Sequence, residues 1–260
     1  MPRQRHVRTL PLLALLTLAA SAACSDDGGA EEAAPTPAAT PVIEVDDGGE
    51  YDPHLAPEDF VDVVDNPYLP LLVGTRLVYE GESDGELERI EVEVLAERRQ
   101  VFGIEATVVR DRAFVDGELQ EDTEDWYAQD SEGNVWYLGE ETAEYEDGEV
   151  VSTEGSWEAG VDGALPGMVM LADPRPGEAY RQEFYEGEAE DLAEVLRVGQ
   201  PAAVLAGTFA DVITIREWNP LEPAVVEEKH FAPGVGMISE NEVAGGSARI
   251  DLVEVVQPGT

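Results

Sequence analysis

Residues able to do chemistry are few, set among many acids. Beyond residue 23 the chain carries two histidines, His54 and His230. No serine lies in a G-x-S-x-G turn, there is no H-E-x-x-H, and no glycine-rich loop opens a helix. A Ser-His-Asp arrangement would have to join His230 to a distant serine, and nothing singles one out. His230, beside Phe231, reads as a structural or surface residue. Paired carboxylates are the usual sign of glycoside hydrolysis, but 57 Asp and Glu in 260 residues make pairs by chance. Glu121-Asp122 with Glu124-Asp125, or Glu188 with Glu190-Asp191, have oxygens suited to Ca²⁺. None has the spacing of an EF-hand loop, and Asp130-Ser131-Glu132-Gly133-Asn134 reads as a turn. The expectation is therefore no metal site and no cofactor.

Aromatic rings offer a different chemistry. Trp126, Trp136, Trp157 and Tyr180, in a β frame, are the candidates to line an apolar cavity. Arg181 would add a polar group there, and with Glu183 it could equally form a buried ion pair. The alternative is that the same rings fill a solid core. The leading expectation is a non-enzymatic module that binds an apolar or amphipathic small molecule. The alternatives are an extracytoplasmic hydrolase with carboxylate acid/base chemistry, or a cation-binding or structural module of the envelope.

The N-terminus supplies an address. Residues 1–9 hold three Arg, Leu10 to Ala20 form an apolar run, and small residues follow through Ala23. That order is a secretory signal peptide over residues 1–23, too short in its apolar part to span a bilayer. Ser21-Ala22-Ala23-Cys24 is similar to a bacterial lipobox, with Ser21 where Leu is usual, so Cys24 is the expected lipidation site. Cleavage after Ala22 would instead release a soluble secreted protein. Residues 25–52 are rich in Ala, Pro, Gly and acids and lack a periodic apolar pattern, as a disordered tether does. The expected location is the outer face of the cell membrane, held by lipid. As the sole cysteine, Cys24 also excludes an intramolecular disulfide and a CxxC site.

The formal net charge is −42, and without the leader 57 acids face 12 bases. Such a balance excludes a nucleic-acid binder, which needs clustered cations, and electrostatic docking on anionic lipid. Lys229 is the single lysine against fourteen arginines. In residues 53–260 the acids recur beside aliphatics and in turns, which reads as a charged coat on the solvent side of a sheet and favours a monomer.

The elements that would position these residues are strands. Residues 53–260 form a single domain in this reading. Pro57 with Glu58 and Asp59 predicts a short helix over 57–65, ended by Asn66-Pro67-Tyr68-Leu69-Pro70-Leu71. Arg89 to Val94 and Ile104 to Val108 alternate with period two. Turn signals recur at Asp84-Gly85, Asp116-Gly117, Asp147-Gly148 and Gly245-Gly246, and Ala232-Pro233-Gly234-Val235 suits a type II turn. Residues 189–198 fit a helix or a strand, and their β-rich flanks favour a strand. Around the Asp130 to Asn134 turn, Ala128 should pair with Trp136 and Trp126 with Leu138. One face then holds Trp126, Ala128, Trp136 and Leu138, and the other Tyr127, Gln129, Val135 and Tyr137. The fold class expected is all-β: about twelve strands in an antiparallel meander, forming a strongly curved sheet or incomplete barrel with a short N-terminal helix.

With those blocks laid out, the chain resembles a family of bacterial secreted proteins and lipoproteins of unknown activity. The blocks are Asn66 to Leu71 with Gly74, Thr75, Tyr79 and Glu80; Asp125 to Glu140; Ser156 to Gly160; Tyr180 to Tyr185; and Ala232 to Gly236. Leu69, where Phe is common, and His230, where an aromatic is expected, depart from the pattern. The resemblance implies one exported β-rich domain and brings no reaction, ligand or partner.

Overall fold

Alternating aliphatic and charged residues, cut by tight Gly-containing turns, fold into sixteen strands in a computed structural model that describes residues 51–83 and 85–258. The residues read as a signal peptide, Cys24 and nearly all of the expected tether lie outside the described residues. The strands are β1 (Phe60–Val61), β2 (Arg76–Ser83), β3 (Glu86–Val101), β4 (Ile104–Val115), β5 (Glu118–Asp130), β6 (Val135–Glu146), β7 (Glu149–Ser152) and β8 (Trp157–Glu158). They continue with β9 (Leu165–Met170), β10 (Ala179–Arg181), β11 (Glu183–Phe184), β12 (Leu192–Val204), β13 (Gly207–Trp218), β14 (Val226–Ala232), β15 (Gly236–Ala244) and β16 (Arg249–Val256). Residues 189–198 thus feed a strand. The helix expected over 57–65 shrinks to a 3-10 turn, Pro57–Asp59, because Phe60 and Val61 pair with Asp130 and Gln129 of β5.

Two antiparallel meanders make up the sheet. One runs β2 to β6 and on to β9; the other runs β12 to β16, and β16 pairs with β2. Asp116-Gly117 and Asp147-Gly148 turn with positive φ at both residues, the geometry that matches strand twist in two-residue hairpins. The sheet curls until one segment serves both of its edges. Arg181 of β10 pairs with Leu192, Glu183 of β11 pairs with Pro166 of β9, and the amide of the single intervening residue, Gln182, donates to Asp191 O at 2.8 Å. Gly167 makes the approach possible: a Cβ there would lie 2.1 Å from the Gln182 carbonyl group. The result is a nearly closed antiparallel barrel.

Closure gives the sheet an inside and an outside. Tyr79, Ile90, Val92, Val109 and Tyr127 face one another across an apolar end capped by Leu69 and Leu71, around a cavity of about 40 Å³, room for a few waters at most. The cap is pinned by Asn66. Its Nδ2 donates to the carbonyls of Gly133 and Leu171, and its Oδ1 accepts from the amides of Tyr68 and Leu69. Outside, arginines pair with acids of the next strand, as in Arg112–Glu91 and Arg110–Asp122, or reach across one, as Arg197 of β12 does to Glu228 of β14. The charged coat is therefore present, but it does not account for every acid. Asp111, Glu121, Asp125, Glu183, Asp191, Glu217 and Glu240 are buried.

Candidate functional site

The β5–β6 hairpin carries the site, and its turn fixes the register. Asp130 accepts from the amides of Glu132 and Asn134, from Asn134 Nδ2 and from Trp136 Nε1 at 2.9–3.0 Å. Ala128 pairs with Trp136, and Tyr127 with Tyr137. Beyond that a bulge displaces the expected Trp126–Leu138 pair, so that Asp125 faces Glu140. Gly139, at φ +131°, sits in this bulge, and a Cβ there would fall 2.3 Å from Trp157 O. Bulges re-aim side chains, and this one turns Glu140 to the same side as Asp125.

Between the two carboxyls stands Tyr137, whose Oη lies 2.7 Å from Asp125 Oδ1 and 2.9 Å from Glu140 Oε2. A phenol has one hydrogen to donate. It satisfies one carboxylate, so the other contact needs a proton on a carboxyl. Electrostatics agrees: burial pushes Asp125 up to about 7, and burial with the charge of Asp125 raises Glu140 well above the usual carboxylate range. Tyr137 also stacks on Tyr127 and meets Trp157 edge-on, with ring centroids 5.0 and 5.3 Å apart.

Further acids line the same interior. Burial and the neighbouring Asp191 raise Glu183, and burial raises Asp191 to about 7. Lys229 is 1% exposed, with Nζ 2.5 Å from Glu217, 3.4 Å from Glu240 and 3.8 Å from Glu227. Burial opposes its charge, yet those carboxylates outweigh burial and raise its pKa. Gln182 Nε2 donates to Glu217 at 2.8 Å.

Glu140 keeps partial exposure toward an open cleft of about 650 Å³ on the outer face of β4–β6. Trp126, Trp157 and Tyr145 contribute rings, Arg99 and Arg110 cations, and Glu141 and Glu158 acids. Arg99 lies 3.8 Å over the Trp126 ring and binds Glu158 at 2.8 Å.

The five residues expected to line one cavity do not come together. Trp126 and Trp157 share the cleft wall. Trp136, on the outer face, packs opposite Met168 and bonds to Asp130. Tyr180 is fully buried opposite Ala193. Arg181 points outward over Phe184, 4.9 Å from its ring, and makes no ion pair with Glu183. Arg181 and Glu183 part because β10 ends at Arg181 and β11 begins at Glu183, each paired to a different sheet edge. For the hairpin the reason is alternation: neighbours on a strand face opposite sides, and its tryptophan face is the outer one. The two acid clusters proposed as Ca²⁺ ligands are split the same way, with Glu121 and Asp125 inside and Asp122 pairing with Arg110 outside. Sequence reasoning passed over Tyr137, Glu140 and Lys229 as site residues. The hairpin register was the available signal for the first two, and the bulge concealed it.

No family model matches the chain, and no curated protein matches it. The fold overlays a crystal structure from Parabacteroides distasonis ATCC 8503, of a protein provisionally named a lipoprotein, at 11% identity and a TM-score of 0.41. That overlay covers 74% of this chain and 99% of the other.

Proposed function

We propose that the chain is a lipid-anchored extracytoplasmic binding module that takes a small amphipathic ligand in the cleft over β4–β6. The cleft carries this reading: at about 650 Å³ it falls in the range of ligand sites, whereas the apolar interior cavity of about 40 Å³ is far too small. Rings and paired charges alternate along its wall, which suits a molecule with one apolar and one polar side. The anchor rests on Cys24 and the leader before it; two or more acyl chains hold a protein stably without any further membrane element.

Titration with Nile red and with anilinonaphthalene sulfonate, read by dye emission and by tryptophan quenching, tests the cleft. Arg99→Ala, which removes the guanidinium over Trp126, should weaken binding about tenfold, the equivalent of ~1.4 kcal/mol. Trp136→Phe, outside the cleft, should leave it unchanged. Equal affinity in wild type and Arg99→Ala would remove the cleft as the site. Mass spectrometry of the mature N-terminus tests the anchor, since an unmodified start at Ala23 is incompatible with it.

A further inference from the structure

We propose that Tyr51 is the clasp of a releasable strap: it holds shut the seam where β11 meets β9, and its release parts the barrel wall there while the other joins stay closed. One side chain touches every strand that meets at this seam. Tyr51 Oη donates to the Pro166 carbonyl of β9 at 2.7 Å. Its ring meets Phe184 of β11 edge-on, with centroids 5.6 Å apart. Arg181 of β10 lies over both rings, 5.6 Å from that of Tyr51 and 4.9 Å from that of Phe184.

The backbone leaves the seam weak. β9 and β11 pair through Glu183↔Pro166 and Phe184↔Leu165, and a proline has no N–H to give to a neighbouring strand. The phenol of Tyr51 bonds to that same proline, so it adds a cross-tie where the ladder lacks a donor. Behind the seam lie Gln182, Glu183 and Asp191, all buried, and Gln182 Oε1 has no protein partner. Buried polar groups without partners favour hydration, so the wall is under a standing bias to part at this place. Tyr51 acts against that bias.

The strap is built to let go at one end. Residues 51–56 belong to no strand or turn. Tyr51, Pro53 and Leu55 are half-buried and Asp52 and His54 between them are exposed, so the segment lies on the barrel by alternate side chains. Its far end is fixed, because Leu55 packs on the core and Phe60 and Val61 pair with β5. Its near end is seated through Tyr51. Unseating it breaks one hydrogen bond and the ring contacts but no backbone ladder, which places release among the low-energy local openings of a fold. Tyr51 also lies in the stretch of residues 25–52 read as a tether. A pull from the N-terminal side therefore reaches the clasp before it reaches any strand.

Hydrogen-exchange mass spectrometry of the full mature chain in detergent tests the strap, with wild type set against Tyr51→Phe and Tyr51→Ala. Tyr51→Phe keeps the ring and loses the bond to Pro166, so peptides covering β9 and β11 should exchange about three- to tenfold faster. Tyr51→Ala also loses the contacts with Phe184 and Arg181, and the same peptides should speed up by about 30-fold or more. Peptides of β2 and β16 should keep their wild-type rates within about twofold in both variants. Unchanged exchange of β9 and β11 in Tyr51→Ala overturns the proposal. So does an equal acceleration in every strand, the behaviour of a residue that stabilises the whole barrel and gates nothing.

Discussion

Asn66 and Lys229 show what single residues are asked to do in this barrel. Asn66 spends both ends of its amide on backbone groups of three separate segments. In Asn66→Ala the carbonyls of Gly133 and Leu171 and the amide of Tyr68 lose their partner, while the Leu69 amide keeps its bond to the Asn66 carbonyl, and each buried orphan costs about 1–3 kcal/mol. A loss of at least about 3 kcal/mol is expected in urea unfolding, with the cap over the apolar end released. Lys229 is the one cation among three close carboxylates. Removing one partner of a buried ion pair costs about 3–5 kcal/mol, so Lys229→Met should be strongly destabilised at pH 8. At pH 5, where the stranded carboxyls can protonate, part of that loss should return; an equal loss at both pH values would show that the amine does not neutralise them.

At the scale of elements, the β5–β6 hairpin is where sequence and structure can be compared most closely. Its three-residue loop and the Ala128–Trp136 pair were legible, because Asp130 and Gly133 define a local turn and the pattern of apolar residues defines two faces. Which face is inside was not legible. Both are apolar near the turn, and only the distant pairing of β16 with β2 and of β11 with β9 curls the sheet toward the tyrosines. The tryptophans therefore went to the outer wall, and the expected common lining dissolved. The Asp125–Glu140 juxtaposition was hidden for a second reason: simple counting from the turn puts Gly139 opposite Asp125, and the bulge inserts the extra residue. The chain turns there because a glycine permits it. Gly139→Ala would set a Cβ against Trp157 O in a backbone region that side chains avoid. It should cost about 2–4 kcal/mol and quench the contact between Tyr137 and Trp157 in near-ultraviolet circular dichroism.

For the whole molecule, the acids divide into two populations with opposite behaviour. Outer ones face arginines or water and serve solubility. Several inner ones have their ionisation resisted by burial, with Asp125 and Asp191 raised to about 7 and Glu140, Glu183 and Glu240 raised well above the usual carboxylate range. In the unfolded chain the same groups titrate near 4. Between about pH 4 and their folded values the native state binds more protons than the unfolded one, so stability falls as pH rises. The stabilisation is complete below the unfolded value and is lost as pH passes through the folded ones. The midpoint of urea unfolding should therefore be higher at pH 5 than at pH 8, by at least about 1.4 kcal/mol in stability, the equivalent of one group shifted by one unit. A protein governed only by its surface ion pairs would show no such decline.

The segment that serves both sheet edges makes the two joins of the barrel unequal. β16 and β2 are zipped along a ladder from Arg249↔Glu82 to Val256↔Arg76, while β9 and β11 meet only through Glu183↔Pro166 and Phe184↔Leu165. The short join is a latch, and one of its residues, Glu183, is itself a buried acid whose ionisation is resisted. Opening there would let water reach Glu183 and Asp191 and let both ionise, so the latch should breathe more as pH rises. Native-state hydrogen exchange, corrected for its intrinsic pH dependence, should find the amides of β9 and β11 opening at lower free energy than those of β2 and β16. The gap should widen between pH 6 and pH 8. A barrel closed for good reasons at one pH is thus held ajar by the same acids at another.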